Sequence, residues 1–451
     1  MTEHSSRIKF GSKFGIVAAA AGSAVGLGNI WKFPYEAGQN GGGAFLLIYI
    51  LCVLLFGLPI MVSELVIGRR AHANVSGAFR QLSGTNHWAM VGLLGVITAF
   101  LILGFYFVVA GWSLEYVYQA VANAFERKTP MQLSQAFSDF STDTFRPLFW
   151  TTIFICCTAF VLLAGVKKGI ERTSKILMPF LIFILILLCV RSVTMPNGNE
   201  GLKFFFAPDF SKITPTVILS ALGQAFFSLS LGMGCMITYG SYIRKDNNLT
   251  KTALHVTSVD TLIAILAGTA IFPAVFSLGI NPAQGPKLVF VTLPSVFSHM
   301  PGGYICAILF FLLLAIAALT STISLQEVIT AYVSEEFHWQ RKKVIVVSSL
   351  VLIVLSSLCS LSLGIGSHYT IGGKTLFDFF DFTTSKFLMP LGGFLISIFI
   401  GWFYKADEVK DELGNHGKLP VKLFSVYIFL MRFFVPLAIL LIFLNELGTF
   451  S

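Results

Sequence analysis

Eleven long apolar runs dominate this chain, at about 14–38, 43–70, 89–122, 147–165, 169–194, 215–243, 252–281, 303–335, 342–364, 376–404 and 420–447. Each is long enough for a helix to cross the hydrocarbon core of a bilayer. Backbone in lipid must satisfy its own N–H and C=O groups, which leaves helices or closed barrels. The runs are continuous and lack the alternation of barrel strands. An all-α polytopic membrane protein with eleven transmembrane helices is therefore expected. Composition agrees: 55% of the residues are hydrophobic and 12% charged, too little polar surface to cover a soluble chain of this size. Disorder and coiled coil fail on the same figures. The seven cysteines sit in apolar runs without a CxxC pair, and read as buried small hydrophobes rather than metal or disulfide partners. Residues 1–13 are polar and basic, and the apolar stretch after them has no small-residue cleavage pattern, so a removed signal is not expected.

The net charge of +9 is mostly topology. Arg7, Lys9, Lys13, Arg69, Arg70, Arg80, the 167–175 cluster, Arg244, Lys245, Lys251, Arg341–Lys343 and the lysines of 405–422 all fall on one side of the predicted helices. The other side is sparse. Basic loops mark the cytoplasmic side, so the N-terminus is expected inside and, with an odd helix count, the C-terminus outside. This is the arrangement of a multi-pass plasma-membrane protein. The bilayer is the expected partner, and nucleic acid is not. The sequence leaves the oligomeric state open.

Two runs are interrupted alike. The first carries SAVGLGN (23–29) and the sixth FSLSLGMG (227–234). Glycine weakens a helix and permits unusual backbone angles. Breaks at helices 1 and 6 divide the chain into five-helix repeats, 14–194 and 215–404, with 420–447 appended and 1–13 as an N-terminal gate segment of one transporter domain. Paired broken helices point to a transport site at the membrane midplane; helix packing through small residues is the plainer alternative.

The stretch 22–45, GSAVGLGNIWKFPYEAGQNGGGAF, resembles the first helix and following loop of the neurotransmitter:sodium symporter family. The resemblance continues in SELVIGRR (63–70), KGIER (168–172), GQAFFSLSLGMG (223–234), TYGSYIRKD (238–246) and ALTSTIS (318–324). It covers essentially the whole chain. The GMG sequence and eleven helices look most like short bacterial sodium-coupled carriers of hydrophobic and aromatic amino acids. The resemblance implies inverted five-helix repeats, no enzymatic activity, no resident cofactor, and co-transport of two Na⁺ ions.

It also implies sites. The first sodium site maps onto Ala24, Asn29, Ser228 and Asp260. The second maps onto the carbonyls of Gly22, Val25 and Ala317 with the hydroxyls of Thr320 and Ser321; back-bonding of those hydroxyls to their own helix is the alternative. A zwitterionic amino acid suits half-helix ends, its carboxylate at converging N–H groups. The Leu27 and Gly28 amides with the Tyr106 hydroxyl are the candidates. Carbonyls of Ala24, Phe227 and Ser230 would take the ammonium group. Ile102, Tyr106, Phe227, Ser228, Ser230, Met233, Ser321 and Leu325 complete the substrate set, with Phe227 over Tyr106 as an aromatic lid. Met233 adapts to varied shapes, which favours large hydrophobic side chains. Asp260 stands where chloride-dependent relatives have Asn, and residue 264 is Ala where they have Ser, so chloride independence is implied.

Lys32 and Asp381 occupy the outer-gate positions, and Arg7 and Glu335, with Glu336 as alternate and Tyr242 nearby, the inner ones. Gly169 and Pro179 mark a stretch of helix 5 for unwinding or a plain kink. Glu64 and Gln224 lie inside membrane helices; Glu64 is a functional candidate by default, with a structural network near the outer gate as the alternative. GKT at 373–375 lacks the P-loop glycine, His368 standing in its place. A passive channel would need a continuous polar file, which the bulky Tyr106 and Phe227 oppose, and an amino-acid sensor would need an appended signalling domain.

Overall fold

The computed structural model describes residues 10–126, 128–279, 281–283 and 288–446. The described residues are almost entirely helical; their one β feature is an isolated bridge between Ile371 and Lys374. Helices α2 (Gly43–Ala71), α3 (Asn86–Val121), α4 (Arg146–Leu163), α5 (Val166–Val193), α7 (Leu249–Ser277), α8 (Gly303–Glu336), α9 (Arg341–Leu361), α10 (Leu376–Phe403) and α11 (Phe424–Leu441) are long and apolar enough to span a bilayer. The first span, α1, is a broken pair, Phe14–Ala24 and Gly28–Gln39, bent by 48°. The sixth, α6, is divided into Pro215–Ser228 and Cys235–Gly240, neither long enough to cross alone. Expected and observed bounds differ by a few residues. α7 ends at Ser277 rather than 281, and α11 begins at Phe424 rather than 420, a difference of four residues in each case.

Four spans lie between α1 and α6, so the two broken helices enter the membrane from opposite sides. That is the inverted repeat. Helices α3 and α8 pack along each other at the centre, and 72% of the apolar window of each is buried, against 22% for α11. The broken α1 lies against α5, α7 and α8, and the second half of α6 packs on α2. Helix α5 runs unbroken through the Gly169–Pro179 stretch.

Not every cysteine is buried. Cys156 and Cys157 on α4 are exposed, against the expectation for all seven. α4 is a peripheral helix with a third of its window buried, and its outer face meets lipid, where a thiol is as apolar as the core.

Candidate functional site

Where a helix is broken inside a membrane, the freed backbone groups need partners. At the α1 break, Val25 is extended (φ −72°, ψ 105°). The Gly26 N–H donates to Asn29 Oδ1 (3.3 Å) and the Leu27 N–H to the Tyr106 hydroxyl (2.9 Å). Gln224 Nε2 donates to the Gly28 carbonyl (2.8 Å). The Ser23 carbonyl accepts the hydroxyls of Ser230 (2.9 Å) and Ser321 (3.3 Å). In the α6 break Ser230, Gly232 and Gly234 all have positive φ (55°, 74° and 80°). Two glycines carry this without penalty, whereas Ser230 is held there at a cost of roughly 1–2 kcal/mol, which its bond to Ser23 helps to offset. The Gly232 N–H donates to Glu64 Oε1 (2.7 Å). Glu64 thus serves the α6 break and Gln224 the α1 break.

Between the breaks lies a cavity lined by Ala24, Gly26, Gly28, Ile102, Tyr106, Phe227, Ser230, Met233, Ser321 and Leu325. Eight of these ten are the expected substrate residues and Gly28 is a ninth. Gly26 was missed: a Cβ there would collide with Ser321 Oγ and the Tyr106 hydroxyl, so this position must be bare. The side chain of Leu27 is fully buried away from the cavity, and its N–H already serves Tyr106. The cavity is about 10 Å³, roughly the room of one water. An amino acid fits only if the walls separate.

Beside this cavity sits an oxygen cluster. Asp260, on α7 and fully buried, accepts from Asn29 Nδ2 (2.8 Å) at Oδ1 and from Ser228 Oγ (2.6 Å) and the Tyr49 hydroxyl (3.3 Å) at Oδ2. Asn29 Nδ2 also reaches Ser228 Oγ (3.2 Å) and the Asp260 carbonyl (3.0 Å). Asn29, Ser228 and Asp260 are therefore brought together as expected. Ser228 belongs here rather than to the cavity wall, because its side chain turns to Asp260. Tyr49 was missed; its one sequence signal is a hydroxyl in the apolar run AFLLIYILC.

A second cluster forms where α8 meets the α1 break. Thr320 Oγ1 donates to the carbonyls of Ala317 (3.0 Å) and Val25 (3.4 Å). Gly22 faces Thr320, whose Cβ would lie 3.4 Å from a Cβ built on Gly22. Ser321 completes the group through Ser23, one residue along from Gly22. The back-bonding alternative is partly realised, since the Ala317 bond is within the helix. Both clusters are rich in oxygen, neutral in the second and joined by the Asp260 carboxylate in the first, the donor set of a hard cation.

The sequence model of the sodium:neurotransmitter symporter family matches residues 7–132 and 121–451. The chain belongs to this family. It is 41% identical to an uncharacterized sodium-dependent transporter, YhdH, of Bacillus subtilis, over 98% of each chain. It is 38% identical to an uncharacterized sodium-dependent transporter of Haemophilus influenzae over 99% of each. The crystal structure of MhsT in complex with L-phenylalanine superposes with a TM-score of 0.91 at 44% identity, covering 97% of this chain and 99% of that one. Like its relatives, this symporter-family chain is a membrane transporter and not an enzyme.

Of the expected gate residues, Lys32 and Asp381 are brought together. Lys32 Nζ lies 3.4 Å from Asp381 Oδ1 and 3.1 Å from Ser385 Oγ, and 4.5 Å from the centre of the Phe227 ring. Ser385, itself bonded to Asp381 (3.0 Å), was missed. At the basic end, Arg7 lies outside the described residues. Glu335 accepts from the Asn74 N–H (2.7 Å), and Glu336 pairs with Arg80 (2.9 Å). The Tyr242 hydroxyl donates to Glu327 (2.6 Å), a fully buried carboxylate that Arg341 also holds (2.6 Å). Glu327 and Arg341 were not foreseen. Phe10 is buried edge-on to Tyr239 and Tyr242 at 5.8 Å, and Gly11 N–H donates to Glu171 on α5 (2.7 Å).

Proposed function

We propose that this transporter couples Na⁺ entry to uptake of neutral hydrophobic L-amino acids, aromatic or branched, without a need for chloride. The observation that carries the reading is one small apolar cavity flanked by two oxygen clusters at paired helix breaks. In this reading two Na⁺ ions are cargo. One binds among Ala24, Asn29, Ser228 and Asp260, with Tyr49 as a further hydroxyl. The other binds among Gly22, Val25, Ala317, Thr320 and Ser321. The substrate carboxylate takes the Leu27 and Gly28 N–H groups and the Tyr106 hydroxyl, so binding breaks the Leu27–Tyr106 bond. The ammonium group takes the half-helix carbonyls, and the side chain enters between Ile102, Phe227, Met233 and Leu325. Repeats 14–194 and 215–404 then rock about the site, with Lys32 and Asp381 closing the outer path and the segment around Phe10 the inner one. The N-terminus is cytoplasmic and the membrane that of a prokaryotic cell.

The MhsT complex with L-phenylalanine supports the substrate class by likeness. The test is uptake of a radiolabelled amino-acid panel into proteoliposomes, with Na⁺ replaced by K⁺ or choline. Aromatic and branched substrates should accumulate in Na⁺ alone. Equal uptake in choline, or preference for charged amino acids, overturns the reading.

A further inference from the structure

A much larger cavity, about 720 Å³, lies at the basic end of the bundle, away from the transport site. Lys245 reaches it from the α6–α7 loop, Lys251 and His255 from the first turns of α7, and Lys418 from the loop after the short helix Ala406–Leu413. All three lysines are exposed, and none makes an ion pair with a carboxylate among the described residues. The acid on the wall, Asp246, lies 3.3 Å from Arg244, and His416 is paired with Asp411 at 2.7 Å. The wall is therefore strongly cationic. Its floor is fixed: Asn415 Nδ2 donates to the Asn247 carbonyl (3.2 Å), and buried Arg69 holds both Asn415 (3.0 Å) and Asn247 (2.6 Å). Asn248 caps α7 through the Lys251 N–H (2.9 Å), so the positive end of a long helix points the same way.

The position says what kind of anion fits. α7 begins its membrane span at Leu249, so the cavity sits where hydrocarbon gives way to headgroups. Val17 of α1 lines it. The adjoining faces of α1 and α7, which pack together, carry Phe14, Leu254 and Leu262 at 59%, 46% and 50% exposure. A headgroup phosphate in the cavity would leave its acyl chains along that apolar face.

We propose that this cavity binds the phosphate of an anionic membrane lipid. Basic pockets at the ends of membrane helices recognise such headgroups, and each lysine near the surface is worth about a fivefold change in affinity. Losing three costs on the order of a hundredfold.

The test uses the full chain in detergent, titrated with dioctanoyl phosphatidylglycerol and read by the melting midpoint and by native mass spectrometry. Dioctanoyl phosphatidylcholine and inorganic phosphate form the other arms. Phosphatidylglycerol should bind at least tenfold more tightly than either. The triple variant Lys245→Gln, Lys251→Gln, Lys418→Gln should lose that preference. A control triple at Lys168, Lys342 and Lys405, exposed on the same side, should keep it. Lys251→Glu alone replaces the triple if that expresses poorly. Equal phosphatidylglycerol binding in the cavity variant overturns the site, as does an equal loss in the control. Inorganic phosphate binding as tightly as the lipid overturns the lipid as its source.

Discussion

Asp260→Asn separates the transport reading from a purely structural one. Asp260 is fully buried and takes three donors. In the variant, the new amide nitrogen fits at the Oδ2 position. There the Ser228 and Tyr49 hydroxyls can turn and accept, whereas at Oδ1 it would face the Asn29 amide nitrogen. The fold therefore tolerates the change. The loss falls on any cation beside the carboxylate. A unit charge at about 4 Å contributes up to about 4 kcal/mol at an effective dielectric of 20, and a charge-assisted hydrogen bond about 1.5–3 kcal/mol. A net loss of about 2–4 kcal/mol raises the Na⁺ half-saturation roughly 30- to 700-fold at 1.4 kcal/mol per tenfold. The assay is phenylalanine uptake in proteoliposomes over a Na⁺ series, in chloride and in gluconate. Wild type should not distinguish the two anions. The variant should respond to chloride, more so with Ala264→Ser, one turn further along α7, since an anion then substitutes for the missing charge. A variant whose Na⁺ half-saturation stays within threefold of wild type would refute the reasoning. So would wild-type uptake that collapses in gluconate.

Thr320→Val removes one hydroxyl from the second cluster at near-constant volume. Na⁺ half-saturation should rise roughly tenfold, a hydrogen-bond-sized loss, measured as ²²Na⁺ uptake with the melting point unchanged; an unaltered sodium curve removes Thr320 from the site. Gly26→Ala puts a methyl group against Ser321 and Tyr106, and phenylalanine uptake should fall more than tenfold in protein that still reaches the membrane. Met233→Phe replaces an adaptable wall with a stiff one. Competition assays should show tryptophan losing more than leucine, and an unchanged ratio would move Met233 out of the pocket.

The parts of this fold that were legible are those where local chemistry contradicts its surroundings. An apolar run of twenty residues has one solution in lipid. Glycines beside Ser23, Asn29, Ser228 and Ser230 are out of place in such a run, and that mismatch located both breaks and most of the cavity. The remainder depends on distance across the bundle. Tyr49 meets Asp260 from 211 positions away, and Ser385 meets Lys32 from 353. A tyrosine or serine in a membrane helix looks the same whether it bonds its own helix or a distant ion ligand. Arg69 reads as a loop charge that sets topology, yet it is buried against Glu412. Arg341 likewise begins a basic loop in sequence and ends on Glu327 in the interior. Topology rules count such charges by side and are blind to whether they fold back inward. The size of the cavity is least legible of all. The wall residues are predicted nearly to completeness, but whether they stand apart or touch depends on contacts across the bundle. With Lys32 held by Asp381 and Ser385 and lying over Phe227, and Leu27 bonded to Tyr106, they touch. In the proposed reading a substrate carboxylate displaces that last bond, so binding and the opening of the break become one step, and Na⁺ at Asp260 and Thr320, which border the same two breaks, would favour it.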